Sequence, residues 1–183
     1  MSKKEFDDFL RKEEEKKKPP VDWEAEKNWW IKQLDNLYAD IQVWLKEYVD
    51  SKKIVLEFNN IDIYEEALGT YTVRQATIKI ADNIATLTPV GTILIGTKGR
   101  VDLNGKAGTI RFILTDRQAT GPRIEIKVFL SQEEKRKDEE IEKNKEKPKI
   151  DWVWKITSNP PKIKYTELSQ DSFLECLLKV CNG

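Results

Sequence analysis

The spacing of apolar positions changes twice along the chain, and each change predicts a different element. Between residues 22 and 50, Trp23, Trp30, Leu37 and Trp44 stand seven apart. Leu34, Ile41 and Tyr48 follow the last three at i+4, and Ile31, Tyr38 and Leu45 widen the stripe. An apolar arc broader than about 100° predicts a helix that lies on a sheet rather than a narrow coiled-coil seam. Asp22 is placed to cap it, Glu24 and Glu26 suit its positive end, and Lys52 and Lys53 suit its negative end. At ~1.5 Å per residue such a helix is ~43 Å long, whereas six strands at ~4.8 Å span only ~29 Å. One end is therefore expected to overhang, with Trp29 at the margin of the stripe as a candidate contact for a partner.

From Ile54 to Leu130 the period becomes two. IVLEF, TYTVRQATIKI, IATLTPV, TILIG, RVDL, GTIRFIL and RIEIKVF read as strands. Asn104-Gly105 and Asp82-Asn83 read as hairpin turns, and Asp62–Leu68 as a helical turn or loop. Short connections between successive strands require antiparallel pairing. DWVWKITS then returns as a strand with Trp152 and Trp154 on one face. Ser169 caps a last helix, with Leu168 and Phe173 as a hydrophobic staple and Phe173, Leu174, Leu177, Leu178 and Cys181 as its apolar face.

Two segments lack such patterning. Residues 1–20 read as a charged helical arm ended by Pro19-Pro20, and residues 132–149 as a charged helix or loop inserted into a single domain spanning 21–183. The expected fold is α+β: an antiparallel sheet of about six to eight strands packed by the long N-terminal helix and a C-terminal helix. The same order of elements also suits a pleckstrin-homology-like half-barrel, an analogy that carries no function.

Composition narrows the chemistry. The chain has no histidine, which removes Ser-His-Asp and Cys-His nucleophiles, HExxH metal sites and Cys/His zinc fingers. Two cysteines, Cys176 and Cys181, cannot form a four-cysteine zinc site; five apart on a helix, they are expected on different sides, reduced and unbridged. Basic and acidic residues cancel at 32 each, so no global field attracts nucleic acid or an anionic membrane. No apolar run suggests a signal peptide or a membrane span, and a cytoplasmic location is expected.

Three stretches remain as candidate chemistry. Asp116 followed by Glu125-x-Lys127 has the order used by divalent-metal nucleases, in which two carboxylates share a hard cation and a lysine steadies the attacking water. In a half-buried strand the same Glu125 and Lys127 simply face solvent. GTKGRVDLNGKAGT has the glycines of a phosphate loop but neither the spacing nor the following helix, and its glycines are expected to serve turns needing positive φ. Residues 98–127 carry seven basic side chains (Lys98, Arg100, Lys106, Arg111, Arg117, Arg123 and Lys127) against three acidic ones, and would form a local basic sheet edge. The leading expectation is a non-catalytic cytosolic interaction module: an adaptor, complex subunit or immunity/inhibitor-type protein, with a homodimer as one form. It has no cofactor or metal, and it binds another protein through Trp29, Lys98, Arg100, Lys106, Arg117 and Arg123. The alternatives are the nuclease built on Asp116, Glu125 and Lys127, and weak binding of a nucleic-acid backbone through 98–127.

Overall fold

A computed structural model of the chain describes residues 22–92, 97–122 and 150–182. The arm at 1–20, most of the TILIG strand, the RIEIKVF strand with Arg123, Glu125 and Lys127, and the insertion at 132–149 lie outside the described residues.

Helix α1 spans Trp23–Asp50. Asp22 caps it, its Oδ1 accepting the Ala25 N–H at 3.0 Å. The stripe buries Trp30, Leu34, Leu37, Tyr38, Ile41 and Leu45, whereas Trp23, one heptad earlier, is 45% exposed. The far end closes through its backbone. Lys52 N–H bonds Val49 O and Lys53 N–H bonds Tyr48 O, both at 2.9 Å. This is a Schellman closure, and it puts Lys52 at φ 59°. The role of Lys52 is therefore conformational, in a position that usually falls to glycine.

Seven strands follow: β1 (Val55–Glu65), β2 (Gly69–Ile80), β3 (Asn83–Gly91), β4 (Gly99–Gly105), β5 (Gly108–Asp116), β6 (Trp152–Thr157) and β7 (Tyr165–Glu167). They form one sheet in the order β1-β2-β3-β4-β5-β6-β7, each antiparallel to its chain neighbour, and the sheet does not close into a barrel. The fold is α+β as expected. β1 is longer than its sequence suggests, because Asp62–Glu65 continues the strand and pairs with Gly69–Thr72. Along β1 the inward set changes from Leu56 and Phe58 to Ile61 and Ile63; along β2 it changes from Tyr71 and Val73 to Ala76 and Ile78. The pairing register is unbroken, so no bulge carries the change. The strong twist of a long two-stranded ribbon turns its other face to the core instead.

Two turns are displaced from their expected places. Ile80 pairs with Asn83, leaving Ala81 and Asp82 in the turn with Ala81 at φ 49°. Gly105 pairs with Gly108, so Lys106 and Ala107 turn the chain rather than Asn104-Gly105. Gly105 answers a different need. A Cβ there would sit 2.3 Å from the carbonyl oxygen of Val180, and a Cβ on Gly99 would sit 2.1 Å from the Trp30 ring. Close approach of a helix, not positive φ, requires glycine at both places.

Helix α2 (Gln170–Asn182) begins with a reciprocal serine cap. Ser172 N–H bonds Ser169 Oγ at 3.3 Å, and Ser169 N–H bonds Ser172 Oγ at 2.8 Å. Its buried face is Phe173, Cys176, Leu177, Val180 and Cys181, while Leu178 is 59% exposed. The expected face is thus rotated by part of a turn; both cysteines are unbridged and buried. Burial pushes the Cys176 thiol up to about 11. Phe173 is the hub of the core, 5.6 Å from the Trp44 ring of α1 and 6.2 Å from the Phe112 ring of β5.

Candidate binding groove

Over its described residues, 98–122, the basic stretch does not form a sheet edge. β4 and β5 lie in the interior of the sheet, and Lys98 and Lys106 flank opposite ends of β4. Most of its described cations are committed within the protein. Lys98 Nζ bonds Glu26 at 2.5 Å. Arg100 forks onto Asp102 at 2.7 and 2.6 Å, and that pairing holds its guanidinium still more firmly protonated. Arg117 bonds both Asp151 and Glu167. Lys106 and Arg111 are exposed. Asp116 accepts the Gln118 N–H at 3.0 Å in a local turn. Its expected companions Glu125 and Lys127 lie outside the described residues, among which no three acidic or cysteine side chains gather in a metal-holding cluster.

Trp29 is half-buried. Its ring meets Trp152 edge-on at 5.8 Å, and Lys98 Nζ lies 5.7 Å from its centroid. That contact joins the first half of α1 to β6. Beside it, one flank of α1 faces β6 and β7 across a groove of about 280 Å³. The helix contributes Gln33, Asn36, Asp40 and Trp44, whose spacing of three to four residues puts them on one side of α1. The opposite flank is occupied: Asp35 pairs with Arg74, and Tyr38 donates to the Arg74 carbonyl at 2.6 Å.

Three tryptophans wall the groove, and each is braced from behind by another aromatic ring. Trp44 rests on Phe173, Trp152 on Trp29, and Trp154 on Trp30 at 6.0 Å. All three are partly buried, Trp44 and Trp154 against the core, so each presents only part of its indole to the groove, from a ring that packing holds in place. Among the described residues the charged lining side chains are both acidic, Asp40 and Glu167, and no described lysine or arginine lines the groove. Glu167 is held by Arg117, as above. Asp40 has only Asn36, Leu37, Val43 and Trp44 at the neighbouring helical positions.

The floor is rigid. Lys155, 5% exposed on β6, donates to the carbonyls of Arg117 at 2.6 Å and Ala119 at 2.7 Å, which fixes the loop after β5. That loop and α2 in turn cover the outer edge of β7. Tyr165 N–H bonds Thr120 O at 3.0 Å, and the Ser172 hydroxyl reaches Glu167 O at 3.3 Å. Addition of a further strand along β7 is thereby obstructed, and what the groove presents is side chains. The tryptophans carry a sequence signal, but it is one that core packing explains equally well; Asp40 and Asn36 carry none until β6 is seen beneath that flank of α1.

No protein-family model matches the chain, and neither the curated proteins nor the solved structures include a match.

Proposed function

We propose that the protein is a non-catalytic interaction module of the adaptor, subunit or inhibitor kind, working in the cytosol, and that it docks an extended segment of a partner protein in the groove between α1 and β6–β7. The observation that carries this reading is the set of three braced, partly exposed indoles in one concavity, since aromatic anchors dominate protein interfaces. At about 280 Å³ the cavity falls just below the range for ligand sites, ~300–1,000 Å³, and suits one or two side chains of a peptide better than a large cofactor. That no described helix is long and apolar enough to cross a membrane accords with the reading. The basic stretch offers less to a nucleic-acid backbone, because Lys98, Arg100 and Arg117 already hold carboxylates.

The test is a pair of exposed substitutions in the full chain: Asn36→Arg, which fills the groove, and Ile84→Lys, on β3 away from it. Affinity capture with quantitative recovery should show a partner lost with Asn36→Arg and retained with Ile84→Lys, at unchanged melting temperature. Equal recovery with both variants overturns the groove as the docking site.

A further inference from the structure

The lining of the groove specifies more than a generic peptide. We infer that its anchor is a cationic side chain, arginine in particular, carried on the docked segment; this rests on the docking reading above. Two independent features converge on a cation. The first is charge: Asp40 is exposed on the wall of the groove, no basic residue stands three or four positions from it along α1, and none of the described basic residues lines the cavity. The second is the walls: indole faces attract cations through the ring quadrupole, and tryptophan does so most strongly of the aromatic side chains.

Arginine fits better than lysine. Its planar guanidinium can stack on one indole while its N–H fork meets a carboxylate, and it loses less hydration on entering a partly apolar site. Gln33 and Asn36 supply amides beside Asp40 that can pair with the backbone of the incoming segment. The molecule shows the same chemistry elsewhere. The Arg74 guanidinium carbon lies 5.7 Å from the Tyr38 ring centroid and 5.1 Å from that of Phe58, with Asp35 as its carboxylate partner at 2.6 Å. Among the described residues the groove offers tryptophans and a carboxylate without an arginine.

The experiment titrates the full chain, labelled with 15N, with the peptide acetyl-Gly-Gly-Arg-Gly-Gly-amide and with its citrulline counterpart, which keeps shape and loses charge. The indole N–H resonances of Trp44, Trp152 and Trp154 should shift with the arginine peptide, and that of Trp23 should not. The citrulline peptide should bind at least about tenfold more weakly, as should the arginine peptide to Asp40→Asn. Raising salt from about 0.05 to about 0.5 M should weaken binding further. Equal affinity for both peptides, insensitivity to Asp40→Asn, or no groove shifts at millimolar peptide each overturns the inference. Should Asn36→Arg still abolish partner capture in that case, docking in the groove stands and only its cationic anchor falls; a neutral polar anchor, including a carbohydrate, would then be the occupant to test.

Discussion

The Tyr71 hydroxyl donates a hydrogen bond to Oε1 of Glu65, and the other oxygen of that carboxylate accepts both the N–H and the hydroxyl of Thr92 at 2.9 Å. One carboxylate thus ties the tip of the β1–β2 hairpin to the end of β3, close to the point where a Cβ on Gly91 would strike it. Removing the donor with Tyr71→Phe should cost about 1.5–3 kcal/mol, the range for a hydrogen bond to a charged group. Urea denaturation monitored by tryptophan fluorescence measures it.

The same tyrosine makes stability fall in alkali. Burial first, and the bonded Glu65 carboxylate second, hold the Tyr71 hydroxyl protonated well above its ordinary value of 10.0. Burial does the same for Tyr38. The folded protein keeps protons that the unfolded chain releases from about pH 10, so the contribution is whole below that pH and is lost as pH rises beyond it. Denaturation curves between about pH 9 and 11 should fall less steeply for Tyr71→Phe and Tyr38→Phe, each by up to about 1.4 kcal/mol per pH unit.

Two residues with side chains occupy left-handed backbone, Lys52 after α1 and Ala81 between β2 and β3. Lys52→Gly and Ala81→Gly should each stabilise the protein by about 0.5–1 kcal/mol, because relief of the Cβ clash exceeds the added freedom of the unfolded chain. A higher denaturation midpoint at unchanged m-value is the expected readout.

Gly99 should tolerate no side chain. Gly99→Ala drives a methyl group into the Trp30 ring and should cost about 1–3 kcal/mol through overpacking. The tilted Trp30–Trp154 pair would shift with it, so near-ultraviolet circular dichroism should change along with stability.

Lys155→Met keeps the length of the side chain and removes its ammonium. Two carbonyls, those of Arg117 and Ala119, then lose their partner, at a cost of about 2–3 kcal/mol. Hydrogen exchange should rise at Tyr165, whose N–H is held by Thr120 on the same loop.

What could be read from the sequence follows the range of the forces involved. The caps at Asp22 and Ser169, the stripe from Trp30 to Leu45 and the antiparallel pairing depend on neighbours in the chain, and each is present. Of Asp62–Leu68 the last three residues do turn, but Asp62–Glu65 is strand, because its acidic residues suit a helix turn as well as an edge strand and only pairing with β2 decides between them. The rotation of α2 that buries Cys176 and exposes Leu178 is set by Phe112 and Trp44, which meet Phe173 across the core. The basic stretch looked like an unpaired basic edge because the acids that hold Lys98 and Arg117 stand 72 and 34 to 50 residues away. The groove was hidden for a related reason: Asp40 and Glu167 come to one cavity only when β6 and β7 lie under α1.

The sheet adds its strands in chain order, and this bears on synthesis. β1 to β5 can pair as they leave the ribosome, each with the strand just made, but residues 117–151 must emerge before β6 arrives. Helix α1 is the first described element to be made, and its aromatic partners Trp152, Trp154 and Phe173 are among the last. A nascent chain stalled before Trp152 therefore holds a finished five-strand meander and a helix whose tryptophans still await their cover, which is the state a chaperone would meet.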